Sequence, residues 1–344
     1  MEMQGKYIFT SLTRISDLEQ QPFEKKPLAK TNWDTGDYVI CEVTNASSSD
    51  LRAELNTGRM MELYEGDVVV GALGVRHASL EATGTWKEVG REGIMHLLTG
   101  AGLIGKVTSK SAFIPNIIEL QYLGHVMVDG RKSNMLDYVA ATPDYIFDVP
   151  CILIVGTSMS SGKTTSAKIM TRQLKKMGLK VVGAKLTGAG RYRDILSIRD
   201  AGADAVFDFV DAGLPSSICP PNRYKKALAK MLSLISSVNA DVAVIEIGAS
   251  PLEPYNGDVA AVGIRDQVVC TVLCASDPYA VIGVMQSFSI KPTFVTGPAV
   301  NTLGGVELVR KLCNVEALNL IEHENLPRLR SILTETLRIS KTVA

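Results

Sequence analysis

The sequence predicts an α/β protein in which a smaller β-rich domain precedes a doubly wound, mainly parallel sheet. Three observations lead to this prediction. Short β-rich segments separated by glycine turns fill residues 1–146, apolar strands alternate with amphipathic helices over residues 147–344, and the proline-bounded segment ATPDYIFDVP (141–150) separates the two patterns. A chain of 344 residues is long enough for about two domains that each bury a core.

The N-terminal domain is predicted from extended segments at 36–43, 66–75 and 117–128, with glycine turns such as Glu65-Gly66-Asp67 between them. Runs rich in Val, Ile and Tyr between such turns are typical of strands. We therefore expect a compact β domain, which could close into a barrel, with one helix near Arg91 to Leu98. Its expected role is substrate binding, oligomerisation or both.

The C-terminal domain is predicted from apolar runs that fit strands buried on both faces of a parallel sheet. These runs cover residues 151–156, 180–185, 241–248, 267–274 and 292–297. Between and after them, apolar residues recur every three or four positions, as in the sets that begin at Ala167, Leu228 and Leu326. Strands that alternate with helices are the pattern of a doubly wound fold.

The composition excludes several classes of partner and site. Lys and Arg (36) balance Asp and Glu (36), and no basic run occurs, so we expect neither a nucleic-acid nor a membrane partner. Six cysteines and four histidines lack the spacing of a zinc site, and the cysteines are expected to be buried thiols in a reducing compartment. With no signal-peptide core and no apolar stretch of membrane-spanning length, the expected location is the cytoplasm.

A phosphate-binding loop is predicted directly after the first strand of the C-terminal domain. The segment Gly156-Thr157-Ser158-Met159-Ser160-Ser161-Gly162-Lys163-Thr164-Thr165 leads into an amphipathic helix. Backbone N–H groups of such a turn, together with the positive end of the helix, bind phosphates. We expect these ten residues to contact a nucleotide, Lys163 to meet the β- and γ-phosphates, and Thr164 to bind Mg²⁺. The alternative is a serine-rich turn that opens an ordinary helix, since five residues rather than four separate Gly156 from Gly162.

The loop resembles that of dethiobiotin synthetase and its relatives among P-loop enzymes, in which the Thr after the first Gly and the Gly-Lys-Thr recur. The resemblance implies a lysine at the end of the second strand that meets substrate and phosphate, and Lys185 in VVGAKLTGAG has that place. It also implies a metal-associated glutamate at the end of a later strand, where Glu246 stands in VIEIGASPLEP, although Ile247 replaces a glycine. The implied cofactors are ATP and Mg²⁺, with Thr164 and Glu246 at the metal.

A second resemblance is to the C-terminal P-loop domain of a two-domain family of unknown function, some of whose members are linked to amino-acid N-acetylation. It rests on KLTGAG, on DAVFDFVDAGLPS (204–217) and on EIGASPLEP. The loop of that family usually has Asp-Cys where this chain has Ser158-Met159, and its N-terminal domain is Rossmann-like rather than β-rich. This resemblance implies an alternative function, an N-acyltransferase whose loop holds the phosphates of coenzyme A.

Two charged residues at strand ends are the strongest catalytic candidates beside Lys163. Lys185 could stabilise charge on a transferred phosphoryl group or hold a substrate carboxylate, and the alternative is a lysine that extends to solvent at the sheet edge. Glu246 could bind Mg²⁺ through water, and the alternative is a carboxylate that caps the following turn. We expect Lys163, Lys185 and Glu246 to be catalytic.

Several weaker candidates surround these residues. Asp208 and Asp211 could add a metal contact or orient a nucleophile, although Asp208 also fits a simple strand-end acid. Arg191 and Arg193 could clamp a phosphate or lie on the surface. Asn301 in TGPAVNTLGG could contact the nucleobase or cap the helix toward Cys313. In the first domain His77 and the glycine run 98–102 are the only comparable material, and a lone histidine after a strand is usually structural.

These observations predict an ATP-dependent, Mg²⁺-assisted enzyme that activates a small polar or carboxylate-bearing substrate by phosphoryl transfer, as a ligase or kinase. We expect it to form a homo-oligomer. A nucleotide-dependent switch or assembly ATPase is a further alternative, although such proteins typically have a lysine where this chain has Thr157.

Overall fold

The computed structural model of the chain describes residues 7–46, 52–248, 250 and 252–338. The chain divides into two compact units. The first comprises Met1–Ala141, Ala189–Arg193 and Phe209–Cys219, and the second comprises Thr142–Gly188, Asp194–Asp208 and Pro220–Ala344. In the described residues no helix is both long and apolar enough to span a bilayer.

The first unit is built from short strands. They are β1 (Tyr7–Phe9), β2 (Glu24–Lys26), β3 (Tyr38–Asn45), β4 (Ala53–Glu54), β5 (Met60–Met61), β6 (Val68–Leu73), β7 (Val75–His77), β8 (Ala82–Thr85), β9 (Ile94–Thr99), β10 (Leu103–Lys110), β11 (Glu119–Val128) and β12 (Arg131–Lys132). The order β6-β3-β11-β9-β10 closes into a barrel, because β10 also pairs with β6 in parallel register. Its interior is apolar and includes Val39, Val69, Leu97 and Ile104.

The predicted helix near Arg91 to Leu98 is wrong, because this segment contains β9. Residues of β9 pair antiparallel with both β10 and β11, so its backbone hydrogen bonds go to neighbouring strands. Met95 and Leu97 are fully buried, whereas Ile94 and His96 between them are only half-buried, an alternation that is typical of a strand. A short apolar run does not by itself distinguish a strand from a helix, and here the closure of the barrel decides.

A buried ionic cluster connects Asp37, directly before β3, with β11 and β12. Asp37, which is 0% exposed, accepts hydrogen bonds from Lys132 Nζ and Asn134 Nδ2, both at 2.8 Å. The Nε2 atom of His125 lies 3.4 Å from the same carboxylate, and its Nδ1 atom lies 2.6 Å from the Tyr122 hydroxyl. Burial opposes ionisation of Asp37, but the nearby His125 and the hydrogen bonds from Lys132 and Asn134 outweigh it and hold the pKa of this carboxyl below its usual value.

Charged side chains contact the two later segments of the first unit, Ala189–Arg193 and Phe209–Cys219. Glu54, which is 1% exposed, accepts hydrogen bonds from the backbone N–H groups of Tyr192 and Arg193 at 2.7 and 2.8 Å. Arg14 forms an ion pair with Asp211 at 2.9 Å and stacks over the Tyr192 ring at 4.6 Å. These contacts are of the capping and charge-assisted kinds, which stabilise an otherwise irregular backbone.

The second unit contains the predicted parallel sheet. Its strands are β13 (Cys151–Gly156), β14 (Val181–Thr187), β15 (Ala205–Asp208), β16 (Val242–Ile247), β17 (Val268–Cys274), β18 (Phe294–Thr296) and β19 (Glu316–Ala317). Its helices are α1 (Lys163–Lys176), α2 (Tyr192–Asp200), α3 (Pro221–Ser237), α4 (Gly257–Ile264), α5 (Pro278–Phe288), α6 (Leu303–Cys313) and α7 (Leu326–Thr336), of which α2 begins in the first unit. The strand order is β15-β14-β16-β13-β17-β18-β19, and every pair is parallel.

The strand order places the phosphate-loop strand near the middle of this sheet. β13 lies between β16 and β17, with Ile154 in register with Glu246. Parallel strands carry their carboxyl ends on one edge, so the loop after β13 lies beside the ends of β14 and β16. The interior is apolar, as expected for strands buried on both faces, and includes Ile152, Met170, Val244 and Phe294. The six cysteines are free thiols, and Cys41, Cys151, Cys270 and Cys274 are buried.

Candidate nucleotide site

The loop between β13 and α1 has the tight backbone that a phosphate site requires. A Cβ atom added to Gly156 would lie 2.5 Å from Ser161 Oγ and 2.9 Å from the Lys163 side chain, so the first position of the loop admits only glycine. Gly162 has φ +95° and Ser160 has φ +62°. These left-handed residues turn the chain so that α1 begins at Lys163, directly after the loop.

Lys163 lies inside the loop rather than on the surface. It is 6% exposed, and its Nζ atom donates a hydrogen bond of 2.7 Å to the carbonyl oxygen of Ser158. Ser161 Oγ donates to the same oxygen at 3.0 Å. Burial lowers the pKa of the Lys163 ammonium, and the negative charge of Glu246 acts in the opposite direction. The lysine is thus pointed along the loop, where phosphate oxygens would replace the Ser158 carbonyl.

Hydrogen bonds of Thr157 connect the start of the loop to the end of β17 and the residues after it. Its backbone N–H donates to Cys274 O at 3.1 Å, and its hydroxyl lies 3.3 Å from Ser276 Oγ and accepts from Ser276 N at 3.1 Å. Asp277 next to it caps α5 by accepting from the N–H groups of Tyr279 and Ala280. Of the remaining loop residues, Met159 is half-buried and Thr165 is exposed.

Thr164 and Glu246 meet at the carboxyl edge of the sheet. Thr164 Oγ1 donates to Glu246 Oε2 at 3.2 Å, and Glu246 is 3% exposed. Burial raises the pKa of the Glu246 carboxyl; Lys185 and Lys163 act against this, and Asp194 adds to it. In the described residues no three His, Cys, Asp or Glu side chains form a metal cluster. A hydroxyl and one carboxylate fit Mg²⁺, which usually takes one or two protein oxygens and completes its shell with phosphates and water.

Lys185 lies at the end of β14, buried among carboxylates. Its strand neighbours in register are Glu246 on β16 and Asp208 on β15. The Nζ atom lies 2.5 Å from Asp194 Oδ2, with side-chain exposures of 9% and 18%. Cβ atoms added to Gly188 or Gly248 would lie 3.1 and 3.0 Å from Lys185 Cε, so these two glycines leave room for the lysine stem. The alternative of a lysine extended to solvent therefore does not describe Lys185.

Two residues of this arrangement were missed by sequence reasoning. Asp194 follows the two arginines of the glycine turn, in the first turn of α2, and the signal that could have found it is an acid at a helix start soon after Lys185. Gly248 supplies the close approach that Ile247 cannot, since a Cβ there would lie 2.2 Å from Thr187 O. Gly248 thus stands one position after Ile247.

A cavity of about 120 Å³ opens beside the N-terminus of α1, on the side of β18. Its walls are largely apolar, with two amide side chains, Asn301 and Asn319, among the lining residues. The remaining lining residues are Gly162, Thr165, Ser166, Ile169, Thr296, Gly297, Pro298, Leu320 and Ile321. Asn301 does not cap α6, because the cap is Thr302, whose hydroxyl accepts from Gly305 N at 3.2 Å.

Of the remaining weaker candidates, Asp208 lies in the second unit and the others lie in the first. Asp208 is a buried strand-end acid at 1% exposure, in register with Lys185. Asp211 is paired with Arg14 in the first unit, and Arg191 and Arg193 belong to that unit as well. His77 ends β7 opposite Thr83.

The solved structures to which this chain is similar are distant from it. Chloroplast FtsY from Physcomitrella patens is 17% identical over 53% of this chain and 62% of that chain, with a TM-score of 0.37. HypB from Helicobacter pylori in complex with nickel is 14% identical over 57% and 92% (TM-score 0.38), and a DUF1611 family protein from Anabaena variabilis is 14% identical over 59% and 63% (TM-score 0.36). This chain therefore spans less than two thirds of the FtsY structure.

No protein-family model and no curated protein matches the sequence. The loop after β13, the parallel strand order and the residues at the strand ends give the second unit the fold of a P-loop nucleotide-binding domain.

Proposed function

We propose that this chain is an ATP-dependent, Mg²⁺-assisted enzyme that activates a small polar or carboxylate-bearing substrate by phosphoryl transfer. One observation carries the proposal: Lys163, Thr164, Lys185 and Glu246 lie together at the carboxyl edge of one parallel sheet, all buried or half-buried. Two cations, a hydroxyl and a carboxylate are the parts that position and neutralise a polyphosphate. Burying such charges has a cost that a purely structural role would rarely repay.

Each residue of the site has a separate role in this proposal. The loop N–H groups and Lys163 bind the triphosphate, with the ammonium exchanging the Ser158 carbonyl for phosphate oxygens. Thr164 and Glu246 would bind Mg²⁺, which when bound neutralises charge on the β- and γ-phosphates. Lys185 neutralises the charge that develops as the γ-phosphoryl group moves. Positioning and electrostatics supply most of the rate in such a site.

The cavity beside α1 supports adenine as the base. Among the described residues that line it, the side chains are uncharged, and its polar groups are amides, hydroxyls and backbone. Guanine has two donors on its pairing edge, which a carboxylate satisfies best, whereas adenine has one donor and adjacent acceptors that an Asn amide matches. Ile169, Pro298 and Leu320 provide apolar walls for the ring. Asn301 and Asn319 are therefore the proposed base contacts.

Binding calorimetry on the full chain tests the nucleotide step. We expect MgATP to bind more tightly than MgGTP or coenzyme A, and Lys163→Met to weaken MgATP binding by about 10- to 100-fold, the value of a charge-assisted contact. The matched control is Lys168→Met, which removes an exposed lysine from the same helix. Tighter binding of coenzyme A than of MgATP would instead favour the acyltransferase alternative.

A screen for stimulated ADP release tests the catalytic step. Small carboxylates and polar metabolites are added to the full chain with MgATP, and stimulation by one chemical class identifies the substrate. Release of ADP that no small molecule stimulates would contradict the proposal and favour the switch or assembly ATPase.

A further inference from the structure

Other groups of the protein contact both lysines of the site. Lys163 donates to the Ser158 carbonyl at 2.7 Å, and Lys185 contacts Asp194 at 2.5 Å. A carbonyl oxygen is a neutral acceptor that phosphate readily replaces, but a carboxylate is a full negative charge. An incoming anion therefore competes with Asp194 for Lys185.

Two glycines restrict the position of the Lys185 side chain. The stem packs against Gly188 and Gly248, where added Cβ atoms would lie 3.1 and 3.0 Å from Cε. Backbone this close restricts the movement of the stem. The ammonium thus stays at one place, and the group opposite it, Asp194 or a ligand, is what changes.

The charges of the site give the reason for an exchange. Lys163 and Lys185 lie with Glu246, Asp194 and Asp208, so the acids of the site outnumber its lysines. An anionic oxygen that enters this low-dielectric site adds a charge that requires a cation. Release of Asp194 from Lys185 supplies that cation and moves a negative charge toward solvent, since Asp194 is the more exposed member of the pair.

We propose that Asp194 competes with an anionic oxygen of the reactants for one position on Lys185, and so sets the affinity of the site for that anion. This inference rests on the proposed function. The anion is an oxyanion of one of two sources, the γ-phosphate of the nucleotide or a carboxylate of the second substrate, and both place a negative oxygen on Nζ. Asp194 is then a specificity-determining residue that excludes ligands too weakly charged to displace it.

The test compares Asp194→Asn with Asp200→Asn, which removes an exposed acid from the other end of the same helix. Calorimetry on the full chain uses three probes: MgATP, MgADP, and succinate added to the MgADP complex. We expect Asp194→Asn to tighten one anion by about tenfold, the value of one freed charge-assisted contact. A gain for MgATP but not MgADP identifies the γ-phosphate, and a gain for succinate identifies a carboxylate. Unchanged or weaker binding of both MgATP and succinate overturns the proposal.

A double variant separates competition from a general change in charge. In the Lys185→Met background, Asp194→Asn should give no gain, and a gain that persists there overturns the proposal. Should Asp194→Asn fail to fold, a crystal structure of the wild type with an MgATP analogue decides, since a bound anion beside an intact Lys185–Asp194 pair also overturns it. Wild-type protein that binds no nucleotide contradicts the proposed function instead, and so the two failures are distinguishable.

Discussion

Each unit of this protein contains a buried group of charged side chains, and the two groups differ in how well they are neutralised. In the first unit Asp37 accepts hydrogen bonds from Lys132 and Asn134 and lies beside His125. In the second unit Glu246 accepts a hydrogen bond from Thr164. Both carboxylates are 3% exposed or less, so burial alone does not distinguish them.

The direction of the pKa shift distinguishes the two carboxylates. Burial disfavours the charged form of each, but hydrogen bonds hold the pKa of Asp37 below its usual value, whereas burial holds the pKa of Glu246 above it. Asp37 is thus a satisfied anion that strengthens the barrel. Glu246 is an incompletely neutralised anion, which is the state that a metal or a polyphosphate complex would complete.

The largest expected effect is on the stability of the first unit. Asp37→Ala leaves Lys132 and His125 without their carboxylate, and removing one partner of a buried ion pair costs about 3–5 kcal/mol. The two tryptophans of the chain, Trp33 and Trp86, both lie in this unit, so their fluorescence during urea unfolding reports its stability. Glu65→Ala, at an exposed turn, is the control. A shift no larger than that of the control would show that the cluster is not structural.

The next largest expected effect is on turnover. Lys185→Ala should lower the rate of ADP release by about 10²–10³, the usual cost of losing one group that stabilises transition-state charge. Nucleotide affinity should fall much less than turnover, because any contact of Lys185 with the nucleotide replaces its contact with Asp194. Lys176→Ala at the end of α1 is the control. Equal loss of binding and turnover would place Lys185 in nucleotide binding rather than in the chemical step.

Some parts of the site can be predicted from local sequence pattern, and others cannot. The loop 156–165, Lys185 and Glu246 all lie at or directly after apolar runs, and parallel strands bring their carboxyl ends to one edge. Local pattern therefore suffices to place these three together. Asp194 was missed because its position depends on where α2 begins and how it is rotated, and neither is set by a strand pattern.

Tertiary pairing decides the remaining differences. Residues 94–99 read equally well as a short helix, and only the pairing of β9 with β10 and β11 makes them a strand. Asn319 follows β19, which has only two residues and gives no recognisable apolar run. The cluster around Asp37 joins residues up to 97 positions apart in the chain, and no local pattern predicts such a contact.

The smallest expected effect is a pair of opposite pH dependences. Asp37 has a folded pKa below its unfolded value, so its contribution to stability is present above about pH 4, the usual Asp value, and is lost as pH falls through the folded pKa. Glu246 has a folded pKa above its unfolded value, so stability is lost as pH rises from the usual Glu value toward the folded pKa. Over the latter range the Glu246 carboxyl becomes ionised, which is the form that binds Mg²⁺. The affinity for MgATP should therefore rise with pH while the contribution of Glu246 to stability falls.

Glu246→Gln separates this effect from other titrations, because glutamine keeps the shape and cannot ionise. We expect MgATP affinity in this variant to be weaker and nearly independent of pH over the range in which the wild type gains affinity, as measured by calorimetry at constant ionic strength. The wild-type gain should also require the metal, since the ionised carboxylate acts on Mg²⁺ and repels the phosphates. A gain that is equally large with ATP and EDTA would mean that another group titrates, and the contrast between a satisfied Asp37 and an incompletely neutralised Glu246 would then have no bearing on function.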